Sequence, residues 1–134
     1  MRTFLACLLT LVLALPAAAE VKIKEVVSPG GITAWLVEDH SIPFTAIEFG
    51  FRGGTSLDAP DKRGAVYLMT GLIEEGAADL DARAYARELE SLAASFSYDA
   101  SSDAVTVSVR MLTENRDQVA DLLYDTLHKT RFDQ

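Results

Sequence analysis

Few residues in this 134-residue chain have the chemistry for a catalytic or metal site, and their spacing serves such a site poorly. There are two histidines, His40 and His128, and one cysteine, Cys7. His40 follows Asp39 in a polar stretch, Glu38-Asp39-His40-Ser41. His128 falls at the end of an apolar-striped segment, where a cation suits a helix C-terminus. Nothing in the sequence places the two histidines together. Glu74-Glu75 forms a carboxylate pair that reads as the solvated end of a helix. Asp58, Asp61, Lys62 and Arg63 make a charged loop for which solvation is the default. A serine nucleophile is unsupported, because no G-x-S-x-G is present. Gly50, Gly53 and Gly54 precede Thr55 but lack the lysine of a phosphate-binding loop.

The elements that must position these residues centre on Gly50 to Gly76. A strand ends near Phe51-Arg52, a Gly- and Asp-rich loop follows, and a helix runs from Ala65 to Ile73. That helix carries Ala65, Val66, Leu68, Met69, Leu72 and Ile73, so it is apolar almost all round and is expected to lie buried in the middle of the domain. Thr70 inside it needs a partner for its hydroxyl, such as a carbonyl one turn back. Gly71 costs a helix interior about 1 kcal/mol relative to alanine and has no evident packing reason.

The rest of the chain alternates in recognisable periods. Val21 to Val27 and Ile32 to Val37 flank Ser28-Pro29-Gly30-Gly31, a turn signal that closes a hairpin. Pro43 to Phe51 is a third strand, and Ala77 to Leu80 a connector. Asp81 is placed to cap a helix whose apolar positions are Ala82, Tyr85, Ala86, Leu89, Leu92 and Ala93. Phe96 to Ala100 and Ala104 to Leu112 form a second strand pair across Ser101-Ser102-Asp103. In it Val105, Val107 and Val109 alternate with Thr106, Ser108 and Arg110, the period of a strand with one buried face. Thr113 is placed to cap a last helix striped with Val119, Leu122, Leu123 and Leu127. The order βββ-α-α-ββ-α predicts an α+β fold, with helices packed on one face of a mostly antiparallel sheet.

Met1-Arg2, the apolar run Phe4 to Leu15 and the small residues through Ala19 have the form of a secretory signal peptide, cut after Ala19. Cys7 lies in that leader, so the chain after it can form neither a disulfide nor a thiolate zinc site. Export without disulfides points to a bacterial periplasm. With 12 basic against 20 acidic side chains, the net charge is −8, which argues against nucleic acid and anionic lipid surfaces. Residues 20–134 are expected to form one domain. The chain stops without a terminal strand, so a longer protein, truncated here at its C-terminal end, is expected.

This succession resembles the N-terminal domain of the pitrilysin/insulinase metallopeptidases, the inverzincins, which include both subunits of the mitochondrial processing peptidase. The residues that carry the likeness are Gly30-Gly31-Ile32-Thr33 with Val37-Glu38-Asp39, the turn Phe51-Arg52-Gly53-Gly54-Thr55, and Lys62-Arg63-Gly64 ahead of the apolar helix. The later helix-strand-strand-helix completes it. The resemblance implies a metallopeptidase half-domain of the LuxS/processing-peptidase type. In that family the central helix carries H-x-x-E-H, two zinc-binding histidines and a glutamate that activates the bound water. Laid on Gly64, the matching residues here are Tyr67-Leu68-Met69-Thr70-Gly71. Tyr67 and Gly71 stand where the histidines would be, and Thr70 where the glutamate would be. None of the three does the family's work.

A second departure agrees with the first. Where the family uses an asparagine to hold substrate backbone, this chain has Ser97, Tyr98 and Asp99. An exposed strand edge can still accept an extended peptide. The resemblance therefore implies a non-catalytic subunit without its own zinc, which binds peptides and assembles with an H-x-x-E-H-bearing homologue. Two rivals stand beside it. One is an active zinc metallopeptidase with its motif beyond residue 134, and the other is a free-standing periplasmic peptide-binding module.

Overall fold

A computed structural model describes residues 21–132. The leader, its cleavage position and Cys7 lie outside the described residues. The chain divides between His40 and Ser41 into two compact units.

The first unit is a hairpin of β1 (Ile23–Val27) and β2 (Thr33–Val37), antiparallel with Glu25 opposite Trp35. The expected turn closes it. Ser28 takes a backbone bond from Gly31 at 2.9 Å and gives one to Ile32 at 2.8 Å, and its hydroxyl accepts from the Ile32 amide at 3.0 Å. Gly31 sits at φ 83°, a conformation that favours glycine. Lys24 and Glu38 form an ion pair at 2.6 Å that lowers the carboxyl pKa.

The second unit is an antiparallel sheet of three strands with helices on one face. β3 (Phe44–Arg52) pairs with β7 (Ala104–Leu112), which pairs on its other side with β6 (Ser95–Ala100). The third predicted strand thus joins the last strand of the unit, and the hairpin forms a sheet of its own. The period-two reading of β7 holds. Val105, Val107, Val109 and Met111 are buried, while Arg110 is exposed and Thr106 and Ser108 are half-buried. The residues opposite them, Ile47 and Phe49 on β3 and Phe96 and Tyr98 on β6, share the apolar face.

Three helices cover that face: α1 (Ala65–Leu72), α2 (Ala82–Ser91) and α3 (Arg116–His128). Tyr85 and Leu92 at α2, Val119 and Leu122 of α3, and Val107, Val109 and Met111 of β7 make one core. Each such aliphatic side chain contributes about 1.5–3 kcal/mol by leaving water. Asp81 caps α2 as expected, its carboxylate accepting from the Ala84 amide at 2.8 Å. Thr113 does not cap α3. It opens a short 3-10 turn, Thr113–Asn115, and its hydroxyl meets that of Thr45 at 3.0 Å. Asn115 instead ties the start of α3 to the end of α2, donating to the Leu92 carbonyl at 2.8 Å. The predicted connector holds a small hairpin of β4 (Gly76–Ala77) and β5 (Leu80–Asp81). The Ala77 methyl belongs to the core.

Candidate functional site

The loop that delivers α1 is fastened to the β6–β7 turn by backbone alone. Gly53 donates to Asp103 at 2.7 Å, Thr55 to Ser101 at 2.9 Å and Ser56 to Ser102 at 3.0 Å. The approach is so close that a Cβ on Gly54 would stand 2.1 Å from the Ser101 carbonyl oxygen. Further along, Asp58 caps the helix. Its carboxylate accepts from the Gly64 amide at 2.6 Å and the Val66 amide at 3.1 Å. Asp58 is therefore not a merely solvated loop residue. It satisfies two of the amides that a helix start leaves open. Gly64 at φ 91° lets the chain turn into the helix beneath it.

The central helix is not buried as its composition predicts. Met69 and Val66 are half-buried and Ile73, just past its end, is buried, so one stripe faces the sheet. Tyr67 and Leu68 remain 70% and 62% exposed. A helix apolar all round needs cover on two sides, and the described residues cover only one.

Tyr67, Thr70 and Gly71, spaced i, i+3 and i+4, share a face of α1. The Thr70 hydroxyl donates to the Tyr67 carbonyl at 2.9 Å, as expected from its place in the helix. A Cβ added to Gly71 would meet nothing within 4 Å, so packing does not demand the glycine. A phenol, a committed hydroxyl and a hydrogen do not fit zinc, which takes imidazole, thiolate or carboxylate donors. Among the described residues no group of three or more His, Cys, Asp or Glu side chains is arranged to hold a metal ion.

The other predicted residues lie on β6 and split between its faces. Ser97 and Asp99 share the open face, where the Ser97 hydroxyl donates to the Asp99 carboxylate at 3.1 Å. Tyr98 points the other way, among the helices. With Met69 and Ile73 it lines an apolar pocket of about 400 Å³ that Val107, Leu127 and His128 help to close. The structure thus joins α1 and β6 on the apolar side but keeps Ser97 and Asp99 away from Tyr98. The Tyr98 hydroxyl is buried without a hydrogen-bond partner among the described residues. Burial, aided by the neighbouring Tyr85, pushes its pKa up. Tyr85 and Thr126 bond to each other at 2.8 Å in the core, and burial raises the Tyr85 phenol to about 12.

Glu74 is exposed as a residue, yet loss of hydration raises its carboxyl pKa, and its charge acts on both phenols. His128 stacks on Tyr124 with ring centres 4.1 Å apart, and its Nδ1 donates to the Tyr124 carbonyl at 2.8 Å. His40 lies in the hairpin unit. Asp58 and Thr126 were invisible as contributors: Asp58 stands six residues ahead of its nearer target, outside any capping-box spacing. Thr126 breaks an apolar stripe.

The outer edge of β6 pairs with no strand among the described residues. Among the described residues no backbone bond outside the strand ladders falls on Ser95–Ala100.

Three similarities to known proteins bear on this arrangement. The sequence profile of the insulinase family, peptidase family M16, matches residues 34–134. A protein of Helicobacter pylori (strain ATCC 700392 / 26695), described as the non-peptidase homolog YmxG, is 31% identical over 97 residues, 72% of this chain and 22% of that protein. A crystal structure described as a peptidase M16 inactive domain from Pseudomonas fluorescens superposes with a TM-score of 0.74 at 25% identity, over 84% of this chain and 28% of that one. The chain thus spans well under a third of the length of either relative.

Proposed function

The chain belongs to the insulinase family, peptidase family M16, and from that premise we propose that it is a non-catalytic member. In this proposal it holds extended peptides along the outer edge of β6, beside a homologous subunit that carries H-x-x-E-H. The observation that carries the proposal is the face of α1 with Tyr67, Thr70 and Gly71, which offers neither ligands nor a general base. It is supported by the likeness to two relatives described as non-peptidase and inactive. Peptide binding is supported by the outer edge of β6, which pairs with no strand among the described residues, since an added strand gains main-chain hydrogen bonds there whatever its side chains. Zinc then belongs to the partner, and the leader supports a periplasmic setting for both.

The test is co-purification. The full-length protein, tagged and drawn gently from its own host's periplasm, is expected to arrive with a stoichiometric H-x-x-E-H-bearing subunit. Zinc should be recovered in proportion to that subunit, and peptidase activity should require both. A tightly bound zinc in this chain purified alone would overturn the non-catalytic assignment. Arrival without any partner would overturn the pairing and favour a solitary peptide-binding module.

A further inference from the structure

The face of the three-stranded sheet opposite the helices carries charge in an ordered pattern. Register places Ala46, Arg110 and Ser95 in one row across the strands, then Glu48, Ser108 and Ser97, then Gly50, Thr106 and Asp99. Arg110 is exposed and makes no ion pair among the described residues. Its row neighbours are short, so nothing long stands between its guanidinium and the outer edge of β6. Ser95, Ser97, Ser108 and Arg110 line a hollow of about 270 Å³ there. Two of the three hydroxyls are committed, Ser97 to Asp99 at 3.1 Å and Ser108 to Glu48 at 3.4 Å. The Ser95 backbone belongs to the ladder with β7, but its hydroxyl makes no hydrogen bond among the described residues, which leaves it available beside Arg110. In the next row Glu48 sits on β3, away from the edge. At the other end of β6, Asp99 presents a carboxylate at the edge itself.

We propose that this face reads charge on a bound peptide: Arg110, with the Ser95 hydroxyl, takes a carboxylate side chain, and Asp99 takes a cationic one four residues away. The inference rests on β6 being the peptide-binding edge. A strand added there lies about 4.8 Å beyond β6 and so about 9.6 Å from β7. An arginine and a glutamate reaching toward each other across Ser95 span that gap. Side chains of an extended peptide return to the same face every second residue. The residues opposite Ser95 and Asp99 are therefore four apart on the peptide, with a residue opposite Ser97 between them. Because the chain as a whole carries a net charge of −8, its general field does not favour acidic peptides. A preference for a carboxylate must come from a local cation.

The test uses full-length protein and three fluorophore-labelled synthetic peptides with the same alternating Val/Thr backbone, read by anisotropy at low salt. One carries Glu and Lys four residues apart on the threonine face, one keeps Thr at both positions, and one carries Lys at both. The Glu/Lys peptide is expected to bind roughly fivefold tighter than the neutral one, an advantage that fades in high salt. In Arg110→Glu, an exposed substitution that the fold tolerates, that advantage disappears and the Lys/Lys peptide becomes the preferred ligand. Equal binding of charged and neutral peptides overturns the charge readout while leaving β6 as a peptide edge. An unchanged preference in Arg110→Glu overturns the role of Arg110. Failure of all three peptides to bind overturns both this proposal and the peptide-binding assignment beneath it.

Discussion

Replacing Asp58 by alanine tests how α1 is held. The carboxylate receives two amides at the helix start, Gly64 at 2.6 Å and Val66 at 3.1 Å, and Gly64 supplies no side-chain cap of its own. Hydrogen bonds to a charged acceptor are worth about 1.5–3 kcal/mol each in favourable settings. Here Gly64 is exposed, so water replaces part of what the mutation removes. Removing an N-cap side chain typically costs about 0.5–2 kcal/mol. With two amides lost at once, the upper end applies, and Asp58→Ala is expected to lose about 2 kcal/mol. For a domain of this size that lowers Tm by roughly 10 °C. Asp58→Asn keeps an acceptor oxygen and should lose about half as much. Asp61→Ala, three residues on in the same loop, is the control and should stay within about 0.5 kcal/mol of wild type. Urea denaturation gives the free energies, and amide exchange over Ala65–Leu72 reports whether the helix start has frayed. If Asp58→Ala and Asp61→Ala prove equally mild, the carboxylate does not hold the helix and the cap is refuted.

Two further substitutions follow from the same geometry. Gly54→Ala drives a methyl to within 2.1 Å of the Ser101 carbonyl, a backbone atom that a rotamer change does not clear. It should cost about 2–3 kcal/mol in denaturant melts, and a neutral result would mean that the loop and the β6–β7 turn are not fastened as described. Tyr98→Phe removes a buried hydroxyl that has no hydrogen-bond partner among the described residues, so stability should hold or rise by up to about 1 kcal/mol. A loss larger than 1 kcal/mol on calorimetry would show that the hydroxyl is bonded after all.

Much of the fold was legible because its signals are local. Ser28-Pro29-Gly30-Gly31 sets a turn by its own backbone preferences, and Asp81 reaches an amide only three residues away. The alternation of Val105, Val107 and Val109 with polar residues reports one buried face without reference to any other strand. The family pattern can likewise be read along the chain, and so can the want of zinc donors at Tyr67, Thr70 and Gly71, since side-chain identity alone decides whether a position offers zinc a donor.

Periodicity, however, states that a face is buried and not what buries it. The sequence did not reveal that β3 pairs with β7, because strand pairing is a contact between residues far apart in the chain. It made α1 a buried helix, because composition counts apolar residues, whereas burial depends on which neighbours arrive; the structure covers only the side with Val66, Met69 and Ile73. Asp58 looked like loop charge until the fold of the loop brought its carboxylate to Gly64 and Val66. Ser97, Tyr98 and Asp99 are consecutive in sequence, yet the pleat sends Tyr98 into the core and its neighbours to the open face. The row that sets Arg110 beside Ser95 exists only through strand register. By itself the sequence determined the family, the element types and the absence of zinc donors at Tyr67, Thr70 and Gly71, since each depends on residue identity and short-range preference. The tertiary structure alone decided which edge lies open and which charges stand along it, since those depend on contacts between distant residues.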